Sequence, residues 1–444
     1  MNSRELLKNY LCPPVLWRIA RNFKNNWREN LYDFSPPVLW RTAQKAKTAL
    51  EAKLLSDPNL YSTMEGGVLR IRITHKCNAR CRYCGQSNFH KELQEISLKR
   101  EVLYEYCRPL YEKIKIILLT GGDPLVSEEG FPFSSFISEN YPSITLFLET
   151  NGIGFTEKWQ RMAADNLMKV HISLNASNEE VYCQGCWAGE QGSKAYQKIS
   201  KNIRDYMSLL RKMGHGMFAP DVSMVINKDT ADDVRAFVKY TLAEGLQYCA
   251  FFFDLTENDK SKDYFGQPET SRRALKELMK IERVLAGKFQ VFFKLFLPQK
   301  ELKMMQPEVE AVPLAELNNE YADILEIAKD RSIEAEYEAR RAIRKNRGKK
   351  ELSFMEDLSP FFRQKRIGNK ITCANPFHQL DIGVNGYFDC CCLITPRFNI
   401  YKPEGGVDLE RVYNHPAMKR LRKDMLKNCY TLCPPNCPLI PEHK

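Results

Sequence analysis

The chain has 444 residues, of which 43% are hydrophobic and 27% charged, values that exclude wholesale disorder, a fibrous repeat and a multi-pass membrane protein. At roughly 100 to 200 residues per domain it predicts two or three domains. Sixty-six Lys and Arg against 55 Asp and Glu leave a net charge of +11, which favours acidic partners without the charge density of a dedicated nucleic-acid binder.

Residues 1–66 read as a helical, basic N-terminal extension. The hexapeptide PPVLWR occurs twice, at Pro13–Arg18 and Pro36–Arg41, each copy opening a short amphipathic helix with Pro at its start. Trp17, Trp27 and Trp40 lie on these helices among Lys and Arg, a pattern that suits a membrane surface or a protein partner. Packing on the main domain is the commoner fate of such a face. Met1–Ala20 carries no secretory signal, and no run of 18 apolar residues follows, so a cytoplasmic protein, at most peripheral to a membrane, is expected.

From 67 to 298, strand-like and helix-like stretches alternate, the signature of βα units around a parallel sheet. The predicted strands are Val68–Ile73, Ile114–Leu119, Ile144–Glu149, Lys169–Leu174, Val222–Ile226 and Tyr248–Asp254. The predicted helices are Leu98–Glu112, Glu157–Ala164, Ala195–Met213, Ala231–Glu244 and Ser271–Ala286. Six such units make a partial (β/α) barrel of the TIM type. Residues 299–370 form a charged helical linker whose run from Arg340 to Lys350 holds seven basic residues in 11, able to contact phosphate but more often a solvated face or mobile connection. Residues 371–444 read as a small α+β module.

Fifteen cysteines in a chain without an export signal point to metal or redox chemistry, because reducing cytosol keeps thiols free. Ten fall in two groups. The lone Cys12, Cys107 and Cys249 read as buried small hydrophobes. Cys183 and Cys186 make a solitary CxxC. The first group is CxxxCxxC: Cys77, Cys81 and Cys84 on one loop after the first strand. Three thiolates leave one iron of a [4Fe-4S] cube open to a small molecule. The competing reading is zinc, with His75 or His90 as a fourth ligand.

CxxxCxxC in this position, with Tyr83 just before the third cysteine, closely resembles the radical S-adenosylmethionine (radical SAM) enzymes. The resemblance implies a partial six-stranded barrel and a [4Fe-4S] cluster on Cys77, Cys81 and Cys84. It also implies SAM on the open iron, cleaved to a 5′-deoxyadenosyl radical that takes a substrate hydrogen. Gly121, Gly122 and Asp123 match the family's Gly-Gly-Glu-like loop for the SAM amino group. Glu149 and Asn151 close the third strand, and Ser173 and Asn175 the fourth, near the SAM ribose and carboxylate; Asn227 ends the fifth similarly.

The second group, Cys373 followed by Gly386 and Cys391, then Cys429, Cys433 and Cys437, resembles the SPASM and twitch extensions that hold auxiliary iron-sulfur clusters. One auxiliary [4Fe-4S] cluster is implied, on Cys373, Cys391, Cys433 and Cys437, with Cys429 able to replace one of the last pair; zinc on the same thiols is the alternative. Cys390 and Cys392 point away from Cys391 on a strand. Two substrate classes follow, a peptide or protein side chain and a small molecule such as a sugar or aminocyclitol alcohol. An iron-sulfur scaffold or electron carrier is the non-enzymatic alternative. Flavodoxin or ferredoxin is the electron donor that the family implies.

Overall fold

The computed structural model describes residues 56, 60–84, 95–253, 269–293, 299–353, 356–357, 364–367, 370–373, 375–384, 387–389, 398–399, 409 and 413–427. Both PPVLWR copies, His90, Cys12, Cys390, Cys391, Cys392, Cys429, Cys433 and Cys437 lie outside them. The chain divides into two compact units, one of Met1–Tyr61 with Asn414–Leu432, the other of Ser62–Tyr413 with Cys433–Lys444.

The larger unit is built on parallel strands. β1 (Val68–Thr74), β2 (Ile116–Gly121), β3 (Thr145–Thr150), β4 (Lys169–Ser173), β5 (Asp221–Ile226), β6 (Cys249–Phe253) and β7 (Val291–Phe292) follow one another in sheet order. β8 (Gln364–Ile367) and β9 (Lys370–Cys373) form a separate antiparallel pair. β10 (Gln379–Ile382) then returns to the main sheet, parallel to β1 with Val68 opposite Gln379. β11 (Tyr387–Asp389) and β12 (Phe398–Asn399) extend that edge antiparallel. The main sheet thus holds eight parallel strands, the expected six with one added at each side.

All six predicted strands are present, with ends displaced by at most two residues. The connecting helices are α1 (Arg108–Tyr111), α2 (Gly130–Asn140), α3 (Glu157–Asp165), α4 (Glu179–Gly185), α5 (Gly189–Lys212), α6 (Val234–Ala243) and α7 (Glu269–Val284). The expected helix at Leu98–Glu112 is instead a π-helical turn, Val102–Tyr106, leading into α1. There Cys107 N–H reaches back five residues to Val102 O, and Pro109, with no N–H to give, follows. α2 and α4 escaped the sequence reading: α2 opens on Gly130-Phe-Pro, which reads as a turn, and Pro132 sits where a helix start tolerates it.

Helices α8 (Gln299–Glu310), α9 (Leu314–Glu320), α10 (Ala322–Ala328) and α11 (Ile333–Asn346) follow. Two members of the basic run depart from the solvated face expected of it, while Arg341, Lys345 and Arg347 keep that face. Arg340 and Arg344 are 1% and 3% exposed, and both pair with the buried Asp357. A carboxylate at the right place turned an apparent surface stripe inward. In the larger unit α12 (Asn375–His378) is the short turn before β10. In the smaller unit, the buried Arg422 of α13 (Pro416–Leu426) donates to Leu60 O at 2.8 Å and Asn414 Oδ1 at 2.9 Å.

Alternation along the strands separates two faces. Leu69, Ile71 and Ile73 on β1 are fully buried, whereas the intervening Arg70 and Arg72 are half-buried. Arg70 reaches across β2 to Glu149 on β3 at 3.7 Å, which identifies its face as the concave interior. The same register brings Glu149 beside His171 and His171 beside Asp221. Val68, Ile116, Leu118 and Phe147 close the floor of that interior together with Leu352.

Candidate active site and cofactor cradle

The three cysteines follow β1 directly. Cys77, Cys81 and Cys84 all line one cavity of about 220 Å3, with His75, Lys76, Asn78 and Glu95 also on its wall. Ala79 N–H lies 3.4 Å from Cys77 Sγ, and Cys84 N–H donates to Cys81 O. Burial raises the Cys77 thiol above its ordinary value. The hydrogen bond with Cys186, then burial, does the same to Cys81. Such thiols ionise readily only when a cation arrives, as iron or zinc does. Among the described residues no group of three or more His, Cys, Asp or Glu is close enough to share one ion, whereas a cube takes each thiolate on a separate iron. Three thiols on the wall of one cavity fit a [4Fe-4S] cluster, one thiolate to each of three irons.

A second loop grips this one. Gly122 N–H donates to Thr74 O at 2.7 Å and Asp123 N–H to Lys76 O at 2.8 Å. A Cβ on Gly121, whose φ is +141°, would meet Thr74 O at 2.2 Å, and one on Gly122 would meet Lys76 O at 2.2 Å. Only glycine permits this approach. The Asp123 side chain turns inward and is fully buried. It accepts from Leu125 N–H at 2.8 Å, Asn151 N–H at 2.9 Å and Thr150 Oγ1 at 2.9 Å. Burial pushes its carboxyl up to about 6 against these donors. In this arrangement Asp123 ties the glycine loop to the end of β3, and the backbone of that loop faces the cysteines.

Of the other expected positions, Asn151 reaches the cysteine loop, and the rest lie at or beyond the ends of their strands. Asn151 Nδ2 donates to Asn78 Oδ1 at 2.7 Å and lies 3.5 Å from Cys77 Sγ. Asn175, with φ of +68°, accepts from Val225 N–H at 3.1 Å and donates to Ser173 O at 3.0 Å, clasping the ends of β4 and β5. Asn227 does the same for α4 by donating to Gly185 O at 2.8 Å. Ser173 is half-buried at the end of β4. Glu149 pairs with Arg70 lower in the interior. Tyr83 is turned away from the cavity, its hydroxyl 3.3 Å from Cys186 Sγ.

Cys186 gives the solitary CxxC a place. It is fully buried, its carbonyl accepts from Arg82 N–H at 3.0 Å, and Arg82 Nη2 donates to Cys183 O at 3.3 Å. The end of α4 is thereby a buttress for the cysteine loop. Cys107 and Cys249 are buried, as expected. Cys373 ends β9.

Below the cysteine loop the interior carries a polar belt that the strand reading gave no cause to single out. His171 Nδ1 lies 2.8 Å from Asp221 Oδ2, and its Nε2 lies 2.9 Å from Ser223 Oγ. Burial opposes the imidazolium, but the Asp221 carboxylate outweighs it and raises His171 above its ordinary value. Arg70 sits between Glu149 at 3.7 Å and Asp381 at 3.5 Å. Both groups are legible only once β1, β3, β4, β5 and β10 are in register.

Residues 71–241 match the model of the Radical SAM superfamily. A stretch of 114 residues, 25% of this chain, is 36% identical to GTP 3',8-cyclase of Campylobacter curvus and covers 35% of that protein. The chain thus spans about a third of the length of the curated relatives it matches. Among solved structures, Streptococcus suis SuiB bound to precursor peptide SuiA aligns over 94% of this chain and 78% of its own, with TM-score 0.50 and 11% identity. Native anSMEcpe with bound AdoMet aligns over 54% and 66%, with TM-score 0.42 and 19% identity. No helix among the described residues is long and apolar enough to cross a membrane. The match runs from within β1 to within α6 and includes Cys77, Cys81 and Cys84 and the Gly121–Asp123 loop, so this part of the chain is similar to the Radical SAM superfamily.

Proposed function

We propose that the chain modifies a peptide or protein side chain by radical chemistry, with Cys77, Cys81 and Cys84 holding the catalytic [4Fe-4S] cluster. The observation that carries this reading is the opening of all three thiols into one cavity above a polar barrel interior. Cys77, Cys81 and Cys84 would hold the cluster, which with SAM would supply the one-electron chemistry for taking a hydrogen atom from the substrate. The chain's own residues position and protect. Gly121 and Gly122 press the SAM loop against the cysteine loop; Asn151 orders Asn78 beside Cys77. Ser173 and Asn175, at the end of β4, are assigned to the SAM ribose and carboxylate. The His171–Asp221 pair, with Ser223 on the other ring nitrogen, can hold or pass a proton within the interior.

An auxiliary [4Fe-4S] cluster on Cys373, Cys391 and two of Cys429, Cys433 and Cys437 completes the reading, in a module spanning 371–444. The assignment makes the enzyme a cytoplasmic oxidoreductase or maturase, supplied with electrons by flavodoxin or ferredoxin, whose acidic surfaces suit a basic chain. Residues 1–66, most of which share a compact unit with Asn414–Leu432, are assigned to a partner or a membrane surface, and 299–370 to the connection between β7 and the C-terminal strands. The barrel's likeness to SuiB, solved with its precursor peptide, supports a peptide substrate at the level of fold. The sequence match to GTP 3',8-cyclases and the charged belt favour a second reading, a small polar molecule such as a sugar or aminocyclitol.

Anaerobic reconstitution with iron and sulfide counting and a dithionite-driven assay for 5′-deoxyadenosine tests the proposal. About eight irons with SAM cleavage are expected for two cubes. Replacing Cys77, Cys81 and Cys84 together by Ala should abolish cleavage and leave the C-terminal iron; retained cleavage would overturn it. Cys373→Ala with Cys391→Ala should halve the iron, and zinc in its place would make the C-terminal site structural.

A further inference from the structure

At the end of the barrel opposite the cysteine loop, α11 and the segment after it enclose a cavity of about 430 Å3. Its wall carries four cations, Arg341, Arg344, Lys345 and Lys349, and two carboxylates, Glu338 and Glu351. Both carboxylates are taken by one residue: Arg341 pairs with Glu338 at 3.4 Å and Glu351 at 2.5 Å. Arg344 is 3% exposed and pairs with Asp357, yet its buried Nε has no hydrogen-bond partner. Lys349 spends one donor on a neutral carbonyl, Ile144 O at 2.9 Å. Thus Arg344, Lys345 and Lys349 converge with no carboxylate of the cavity wall left for them. Arg344 is buried and held by Asp357, Lys349 is half-buried and Lys345 exposed, so the wall offers an excess of positive charge that an anion entering from solvent can reach. Leu352, on the same wall, is also part of the apolar floor of the barrel interior, so this cavity is separate from the candidate active site.

We propose that this cavity binds a phosphate-bearing small molecule, with Lys345, Lys349 and Arg344 as its donors. Three cationic donors around one oxyanion match the acceptor count of a phosphate group. Lys349 gives the site a pH signature. Burial and the neighbouring Arg344 charge lower it to about 8, so it carries its proton fully only below that. The groups facing it are Arg344, Lys345, Arg341 and Glu338 on α11, Glu351 on its own segment and the Ile144 carbonyl at the start of β3. A bound dianion raises the Lys349 value and draws in a proton.

Titration of the full reconstituted chain with inorganic phosphate, followed by calorimetry at pH 7 and pH 9, tests this. Saturable binding at about 1 mM or tighter is expected, weaker at pH 9 and accompanied by proton uptake near pH 8. Lys345→Gln and Lys349→Gln should each weaken it about tenfold, the loss of one charge-assisted contact. Glycerol 3-phosphate binding more tightly than inorganic phosphate would assign a phosphate ester as the source; the reverse would assign free phosphate. Absence of saturable binding in wild type, binding unchanged in Lys345→Gln, or binding of succinate in preference to both phosphates would overturn the proposal. Lys345 is exposed on α11 and leaves the fold undisturbed, so that variant decides the matter even where Lys349→Gln misfolds. Formation of 5′-deoxyadenosine without phosphate should be the same in Lys345→Gln and wild type. Failure here therefore leaves the radical assignment standing.

Discussion

His171 shows how one side chain is tuned by what faces it. Its ring is buried, which by itself disfavours the charged form, but Asp221 2.8 Å away more than compensates. Because the folded value is raised above the ordinary 6.5, the stabilisation this pair lends is complete below pH 6.5 and fades as pH rises through the folded value. In Asp221→Asn the burial cost stands almost alone, and the His171 value should fall below 6.5. Following imidazole carbon-bound protons by NMR against pH, with His171→Gln to assign the signal, measures this. An unchanged midpoint in the variant would mean that Asp221 is not the governing charge. Residues such as Cys77, Cys81, Cys84, Gly121 and Gly122 were legible because their chemistry lies in spacing along one loop. His171, Asp221 and Ser223 were not, since their partnership needs a register between two strands about 50 positions apart.

Among elements, α11 is where charge patterning misled and burial decides. Arg340 and Arg344 stand one turn apart and share Asp357, whose main-chain oxygen also accepts from Lys169 Nζ at the start of β4. Burial alone would raise the Asp357 carboxyl, but Lys169, Arg344 and Arg340 together hold it well below the usual carboxylate range. Its contribution is therefore present at all pH values above its ordinary 3.8 and is lost only as pH falls through the lower folded value. Asp357→Asn leaves two buried guanidinium groups and should cost about 3–5 kcal/mol. Urea unfolding at pH 7 measures the loss, and the gap between variant and wild type should close under strongly acidic conditions. A cost below about 1 kcal/mol, the range of surface pairs, would show that α11 is not anchored through Asp357. A seven-in-11 basic run states a composition; which of its members face a buried acid is set by the helical phase against a distant residue.

For the molecule as a whole, the strands β1 to β6 were readable one at a time because each is an apolar run bounded by turns, and a parallel sheet needs such runs. The return of β10 to β1 was not, because Gln379-Leu-Asp-Ile is too short and too polar to announce itself. Its place is explained by what it meets: Asp381 supplies the second carboxylate for Arg70, and Leu380 and Ile382 are fully buried. β10 also covers an edge of β1 that would otherwise present unpaired backbone beside fully buried Leu69 and Ile71. A chain ending at Cys373 should consequently expose that edge and associate or aggregate, with a lower Tm than the full chain, even though every residue of the segment 71–241 is retained. Asp381→Asn, which keeps β10 and weakens chiefly the Arg70 contact, should keep the association state of the full chain and lose about 1.5–3 kcal/mol. Light scattering and thermal unfolding separate the two. A monomeric truncated chain with the Tm of the full one would show that the barrel closes its own edge and that β10 is dispensable, whereas aggregation of the truncation alone places the C-terminal segment within the folding unit of the barrel.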